Sequence, residues 1–202
     1  MKPLSVVFFS NFLDERTRAE RRITTDSPAA SRKVLNACHA LRAGGARPII
    51  LSMGRGHADG SRETHGWTVR RVGRMALFKP TFQNHRLLSK VVSMLVPSLF
   101  ILRRRKNRRT ILLLYNRIAF GVLPMLVARF VGWPAVFDLE DGEIIQRATG
   151  AQQQSAKIWF GRLLLMGLYD RYCQRAILAA TALESSTSVR PTLPYYGSIQ
   201  AE

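Results

Sequence analysis

Four carboxylates, Asp138, Glu140, Asp141 and Glu143, lie within six consecutive residues of a chain that is otherwise strongly basic. The chain of 202 residues has 13 Asp and Glu against 31 Lys and Arg, which gives a formal net charge of +18. Carboxylates accept hydrogen bonds from hydroxyl groups and can take up the proton of a reacting hydroxyl group. Because the cluster follows the apolar run 133–137, which is typical of a buried strand, we predict a ligand site at the end of that strand.

Within this acidic cluster, Glu140 and Asp141 are the strongest candidates for contact with a ligand, and Asp138 lies on the same face of the strand as Glu140. Two alternatives stay open, since Asp141 and Glu143 could instead cap a helix that begins near residue 144, or could be solvated charges. A metal site at Asp138 and Glu140 is less favoured, because that spacing is common by chance. We expect no metal ion.

Alternating strand and helix patterns predict an α/β fold, a Rossmann-like parallel sheet flanked by helices. Short apolar runs predict buried parallel strands, and apolar residues at helical spacing predict the helices between them. The first β-α-β unit comprises strands 4–9 and 48–53 with a helix at 28–43, and the second comprises strands 111–114 and 135–139 with a helix at 120–131.

Three polar segments should meet at one edge of this sheet, since the carboxyl ends of parallel strands open onto the same crevice. They are the acidic cluster, Asn116 after the strand 111–114, and the loop 10–27 after the first strand, which includes Asn11. Asn116 and Asn11 therefore join the candidate ligand-binding residues.

Further elements are predicted outside the two units. An edge strand is expected at 67–72, and a helix at about 83–102 should be kinked or broken at Pro97. A long helix is expected at 156–179, followed by a short strand at 181–183.

Arginines in the loop 10–27 are candidates for contact with phosphate, because one guanidinium group can donate to two phosphate oxygens at once. Arg16 and Arg18 lead this set, and Ser27 stands where the N-terminus of the first long helix could hold an anion. A solvated charged loop is an equally supported alternative.

A run of six basic residues in seven follows the apolar stretch 91–102. Its charges could suit a helix C-terminus, could bind nucleic acid, or could dock on an anionic membrane surface. The adjacent apolar stretch favours the membrane, and nucleic acid is disfavoured because no aromatic stacking platform accompanies the charge. The membrane-surface candidates are Arg103, Arg104, Arg105, Lys106, Arg108 and Arg109.

The remaining reactive residue types carry no catalytic expectation. Cys38 and Cys173 lie in helical patterns and are expected to be buried, and none of the four histidines has ligand spacing. The first apolar run is too short for a signal peptide, and no transmembrane helix is predicted. A cytoplasmic protein is the expectation.

The sequence resembles the N-terminal, acceptor-side domain of GT-B type retaining glycosyltransferases. The most specific piece is Glu140-Asp141-Gly142, and the others are diffuse and together cover nearly the whole chain. They are residues 5–10, the helix-turn-strand 31–53, the strand end at Asn116, the segment 179–185 and the segment 194–199.

The resemblance implies an acceptor domain at residues 1–190 and the start of a crossing into a second domain at 191–202. It also implies transfer of a sugar from a nucleotide-sugar donor, as co-substrate and without another cofactor, to a lipid-linked or saccharide acceptor in surface polysaccharide synthesis. The resemblance makes the candidate ligand-binding residues acceptor-binding candidates, namely Glu140, Asp141, Asp138, Asn116 and Asn11. Such a chain would lie at the inner face of the membrane.

Three departures from the family pattern bear on activity. The loop after the first strand lacks glycine, and Asn116 stands where many members have histidine. The nucleotide-sugar domain is not in the sequence, so we expect either a truncated chain or one that works with a separately encoded partner, and little turnover by the chain alone. The alternative is a non-catalytic, basic Rossmann-like module that binds anionic membrane or RNA.

Overall fold

The computed structural model describes residues 3–24, 28–52, 67–72, 75–80, 86–140 and 156–194. These ranges contain eight strands and five α-helices. In chain order they are β1 (Ser5–Ser10), α1 (Glu15–Glu20), α2 (Pro28–Ala43), β2 (Arg47–Ser52), β3 (Trp67–Val72), β4 (Met75–Pro80), α3 (Arg86–Arg103), β5 (Thr110–Tyr115), α4 (Val122–Phe130), β6 (Ala135–Leu139), α5 (Ala156–Tyr172), β7 (Arg175–Leu178) and β8 (Thr192–Pro194).

The strands form one sheet in the order β3-β4-β2-β1-β5-β6-β7-β8. β1 lies in the middle and pairs in parallel with both β2 and β5, and β5 pairs in parallel with β6. β3 is antiparallel to β4 and forms one edge. This arrangement confirms the predicted Rossmann-like α/β fold, including the edge position of β3.

Two apolar layers cover the sheet because its central strands are apolar on both faces. Val7 and Phe9 of β1 belong to the core cluster that includes residues of α3, α4 and α5. Val6 and Phe8 point the other way, into the cluster with Val34 of α2. All four β1 side chains are at most 4% exposed.

The C-terminal part of the fold differs from the sequence prediction. The helix predicted at 156–179 ends at Tyr172, and residues 175–178 form β7 instead. A short apolar run directly after a helix has no periodicity that separates strand from helix. The strand predicted at 181–183 is also wrong, since Thr181–Ser186 is a 3₁₀ helix, and β4 and β8 were not predicted.

Pro97 does not interrupt α3, which continues through it to Arg103. The pyrrolidine ring removes one backbone donor, but Pro97 is buried, so tertiary packing holds this part of the helix. The hydroxyl of Ser98, the residue after Pro97, donates to the Met94 carbonyl oxygen at 2.6 Å. Among the described residues, no helix combines the length and apolarity needed to cross a bilayer.

The proposed division at residue 190 stays a prediction. β8 pairs in parallel with β7, so residues 192–194 extend the same sheet. Nothing in the described ranges tests whether the residues after 194 cross into a second domain.

Candidate functional site

The carboxyl ends of β1, β2, β5 and β6 lie along one edge of the sheet, because these strands run in parallel. This edge brings together Ser10, Ser52, Asn116 and Glu140, although they are far apart in sequence. In an open α/β sheet this is the edge where ligands bind. The predicted convergence of the acidic cluster, Asn116 and the first loop is therefore found for the residues that the structure describes.

Asn116 joins the ends of β5 and β6. Its backbone N–H donates to the Asp138 carbonyl oxygen at 2.8 Å, and its side-chain Oδ1 accepts from the Glu140 N–H at 2.8 Å. The φ of Asn116 is +56°, in the left-handed region that Asn adopts more readily than most residues. The local backbone thus turns sharply at Asn116, and its side chain fixes where Glu140 leaves the sheet.

Glu140 forms an ion pair with Lys33 of α2, across the carboxyl edge of the sheet. The Glu140 side chain is 12% exposed and that of Lys33 is 32% exposed, so the pair is partly reachable from solvent. The sequence analysis did not identify Lys33, whose sole signal was its place in the second turn of α2. The acceptor candidate Glu140 therefore comes with a cation beside it.

The other members of the acidic cluster have different settings. Asp138 is buried at 4% exposure, which leaves little surface for a ligand. Asp141 and Glu143 lie outside the described residues, as does Ser27. Of the predicted acidic candidates in the described ranges, Glu140 is the one with an accessible side chain.

The described part of the first loop, residues 10–24, is folded and includes α1, while several of its charged residues stay exposed. Asp14 caps α1 by accepting from the Thr17 N–H at 3.0 Å. The Leu13 N–H donates to Ser31 Oγ at 3.1 Å, and Ser52 Oγ donates to the Phe12 carbonyl oxygen at 2.5 Å. These bonds hold the loop against α2 and β2, at the carboxyl edge.

The charged candidates of this loop point in different directions. Arg16 is exposed and pairs with Glu20 at 2.8 Å, an exposed i,i+4 pair that contributes little free energy and can be exchanged for a ligand. Arg18 donates to the Leu13 carbonyl oxygen at 3.4 Å, and Arg21 is buried at 6% exposure. Asn11, directly after β1, is exposed.

A second polar cluster lies beside this edge, where Arg117 follows Asn116. The Arg117 Nη2 lies 3.1 Å from Asp170 Oδ1 and donates to the Ser186 carbonyl oxygen at 2.6 Å. The Arg117 guanidinium carbon stands 5.2 Å from the centre of the Phe137 ring. We refer to Arg117, Asp170 and the segment 186–188 as the arginine cluster.

Asp170 connects α5 to the segment after the 3₁₀ helix. It accepts from Thr187 Oγ1 at 2.8 Å, and from the Ser188 N–H at 2.8 Å and Ser188 Oγ at 2.9 Å. Burial raises the pKa of the Asp170 carboxyl, but the hydrogen bonds from Ser188 and Thr187 and the charge of Arg117 outweigh it, so the pKa is lowered overall. Asp170 has no sequence signal, because it is one acid inside a helix.

The basic run 103–109 lies at the opposite edge of the sheet. It connects the end of α3 to the amino end of β5, and all seven residues are exposed. Arg104 stacks over the Phe100 ring with its guanidinium carbon 4.6 Å from the ring centre. Burial and the neighbouring charge of Arg47 lower the pKa of Arg104. The basic run therefore serves a different surface from the carboxyl edge.

Neither cysteine is placed to act as a nucleophile. Burial raises the pKa of the Cys38 thiol to about 12, and it does the same for Cys173. Both are then protonated at neutral pH, and only the thiolate is a strong nucleophile. Within the described ranges, no group of three or more His, Cys, Asp or Glu is arranged to hold a metal ion.

Replacing Asn116 tests how the edge is built. Asn116→Ala is expected to reduce the free energy of unfolding by about 1–2 kcal/mol, because it removes the bond to the Glu140 N–H and puts a less tolerant residue at positive φ. Asn116→Gly removes the same bond but accepts the backbone conformation. The free energy of unfolding in urea should place Asn116→Gly between wild type and Asn116→Ala. Equal losses in the two variants would mean that the left-handed conformation of residue 116 contributes nothing to the difference.

The comparisons with known proteins give a fold. No family model matches the chain, and no curated protein is significantly similar to it. An α,α-trehalose-phosphate synthase (UDP-forming) from Burkholderia vietnamiensis aligns over 92% of this chain and 42% of its own, with 11% identity and a TM-score of 0.53. An α,α-trehalose 6-phosphate synthase from Burkholderia multivorans has the same coverages, 12% identity and a TM-score of 0.49. The chain thus spans about two fifths of the length of these two enzymes. At 11% identity, the structural similarity to the enzyme from Burkholderia vietnamiensis shows a shared fold and no more.

Proposed function

We propose that this chain is the acceptor-binding half of a glycosyltransferase, which moves a sugar from a nucleotide-sugar donor to a lipid-linked or saccharide acceptor. The observation that carries the proposal is the Lys33–Glu140 pair, fixed by Asn116 at the carboxyl edge of the sheet. The shared fold with part of a sugar-transferring enzyme supports it.

The pair has the chemistry that an acceptor site requires. A sugar hydroxyl must be held in position, and its proton must be received or buffered as the new bond forms. A carboxylate offers about four lone-pair positions, so Glu140 can accept from an acceptor hydroxyl while it keeps its bond to Lys33. The Lys33 ammonium can donate to a second acceptor oxygen. In this proposal Glu140 and Lys33 orient the acceptor, with Asn11 and Asp141 as further candidate contacts.

The donor is proposed to bind mainly to a second part of the enzyme, outside the 202 residues of this sequence. The chain aligns with 42% of the similar enzyme, so a full enzyme of that length would have a large second part. From this chain, Arg16 and Arg18 are the candidates for the donor phosphates or for those of a lipid-linked acceptor. The donor is a co-substrate, and the proposal requires no metal ion.

A mixing experiment tests this function. The purified chain would be assayed for release of nucleotide from a panel of UDP- and GDP-sugars, alone and with a separately expressed candidate nucleotide-sugar domain. We expect little release by the chain alone and acceptor-dependent release by the mixture. Robust turnover by the chain alone would contradict the proposal of an acceptor half.

Substitution of Glu140 tests the site itself. Glu140→Gln is expected to lower the acceptor-dependent rate of the mixture about tenfold or more, since it removes a charged hydrogen-bond acceptor. Glu15→Gln, an exposed acid at the start of α1, is the matched control and should leave the rate unchanged. A Glu140→Gln rate equal to that of the control would show that this carboxylate does not contact the acceptor.

A second candidate function is a non-catalytic module that binds a polyanion. The formal net charge of +18 and the exposed basic run favour it. The mixing experiment separates the two, because a binding module would give no acceptor-dependent nucleotide release with any partner domain.

A further inference from the structure

The outer side of α3 carries a row of exposed apolar side chains that ends in the basic run. Val91, Leu95 and Leu99 are 38%, 46% and 48% exposed, and they are spaced four residues apart. The next residue of the same row, Arg103, is exposed and ends the helix. Residues four apart lie on one side of an α-helix, so the row is continuous over about 18 Å from Val91 to Arg103.

The inner side of the same helix is already packed. Phe100 and Ile101 are buried in the core cluster at 7% and 0% exposure, and α3 packs along α4. The outer row is therefore not surface left over from an incompletely buried helix. It is a second apolar side on a helix whose first apolar side holds the fold together.

The charge beside the row is concentrated and accessible. All of the residues 103–109 are exposed, and six of the seven are basic. Stacking of Arg104 on Phe100 fixes one of these cations at the end of the helix. A row of apolar side chains next to several cations fits a surface that is negative at its boundary and apolar beneath it, which is the character of an anionic lipid bilayer.

We propose that the α3 row (Val91, Leu95, Leu99) and the basic run (residues 103–109) form one docking surface for an anionic membrane. The apolar row enters the boundary between head groups and acyl chains, and the cations contact the lipid phosphates. Each basic residue near such a surface strengthens binding about fivefold.

An RNA partner fits the same residues less well. Cations alone would serve a phosphate backbone, but bases of single strands stack on exposed aromatic side chains. Phe100, in the last turn of α3, is buried and already covered by Arg104. Exposed Leu and Val side chains gain nothing from contact with phosphate, whereas they gain free energy from transfer into the bilayer boundary.

Docking through α3 would orient the carboxyl edge. α3 connects the carboxyl end of β4 to the amino end of β5, so its axis runs opposite to the parallel strands. A helix lying in the plane of the membrane then leaves the carboxyl edge beside the membrane surface, in reach of a lipid-linked acceptor. This last step rests on the proposed function, but the docking surface does not.

Vesicle binding tests the proposal. The chain would be sedimented with vesicles of phosphatidylcholine containing roughly one third phosphatidylglycerol, and with vesicles of phosphatidylcholine alone. We expect binding to the anionic vesicles that weakens as salt is raised. The triple variant Arg103→Gln, Arg105→Gln, Arg109→Gln should bind about 100-fold more weakly. The double variant Leu95→Ser, Leu99→Ser should bind about tenfold more weakly.

Matched controls separate this surface from the general positive charge of the chain. The triple variant Arg32→Gln, Arg171→Gln, Arg175→Gln removes the same charge from exposed positions elsewhere, and Leu193→Ser removes an exposed apolar residue of β8. Both controls should retain most of the binding. Equal losses in the two triple variants would overturn the proposal, as would equal binding to neutral vesicles.

Two further outcomes are decisive. Binding of polyuridine RNA without binding of anionic vesicles would overturn the membrane proposal in favour of the RNA partner. Loss of vesicle binding in the α3 variants, with unchanged release of nucleotide from the donor when the acceptor is a soluble saccharide, would support it. That result would also show that the docking surface and the carboxyl edge act separately. Failure of vesicle binding would leave the proposed glycosyl transfer untouched.

Discussion

Asp170→Asn is expected to reduce the free energy of unfolding by about 3 kcal/mol, because it leaves the charge of Arg117 buried without a counter-ion. The Arg117 side chain is 1% exposed, whereas that of Asp170 is 17% exposed. The partial exposure of Asp170 places the expected loss at the lower end of the range for a broken buried ion pair. Urea unfolding monitored by circular dichroism measures it.

The opposite substitution should be much less damaging. Arg117→Met removes the buried charge, and Asp170 keeps its bonds from Thr187 and Ser188. Among the described residues, Nε and Nη1 of Arg117 have no hydrogen-bond partner, so Met also relieves a desolvation penalty. We expect a loss of about 1 kcal/mol, mainly from the Ser186 carbonyl that loses its donor.

The double variant gives the clearest result. Arg117→Met with Asp170→Asn should be more stable than Asp170→Asn alone, because no buried charge remains to be compensated. Losses that simply add would show that the two side chains do not interact.

The same cluster predicts a dependence on pH. The folded-state pKa of Asp170 is lowered from its ordinary value of 3.8. Stabilisation by the ionised carboxylate is therefore complete above about pH 5, and is lost as the pH falls through the lower folded-state value. The stability difference between wild type and Asp170→Asn should be flat from pH 5 to 8 and should shrink in acid. A difference that grows in acid would contradict the lowered pKa.

The order of elements around the carboxyl edge was predictable because it rests on local patterns. The sequence runs of β1, β2, β5 and β6 are short, apolar and bounded by polar or glycine residues. The observed bounds of each strand differ from the predicted bounds by at most about two residues. Parallel pairing then follows from the helices between them. The convergence of Asn116 and Glu140 on one edge is a consequence of that pairing alone.

The side-chain partners at the edge were not predictable, because they are long-range. Lys33 meets Glu140 across 107 positions of sequence, and Arg117 meets Asp170 across 53. Periodicity assigns a residue to a face of its own element, but it does not give the register between elements. For the same reason the boundary between α5 and β7 was missed, since the strand exists only where residues 175–178 pair with β6.

A second large effect is expected at Gly121, which ends the short 3₁₀ turn Ala119–Gly121 between β5 and α4. Gly121→Ala should reduce the free energy of unfolding by about 2–3 kcal/mol, because a Cβ there would overlap the Tyr169 hydroxyl oxygen and would press on Leu114. The Tyr169 hydroxyl cannot move away freely, since it accepts from the Ile118 N–H at 3.3 Å and donates to the Ile118 carbonyl oxygen at 3.0 Å. Burial raises the pKa of Tyr169, so the hydroxyl keeps its proton and both hydrogen bonds to the Ile118 backbone.

Two comparisons identify the overlap as the cause. Gly161→Ala, in α5 with nothing within 4 Å of its added Cβ, should instead stabilise the protein by up to about 1 kcal/mol through helix propensity. Gly121→Ala combined with Tyr169→Phe should lose less unfolding free energy than the sum of the two single losses, because removal of the hydroxyl frees space for the added Cβ. Ile118 follows Asn116 and Arg117 directly, so displacement of Tyr169 is expected to disturb the carboxyl edge as well. Proton–nitrogen NMR shifts of Asn116 and Glu140 that change in Gly121→Ala but not in Gly161→Ala would connect this packing contact to the candidate acceptor site.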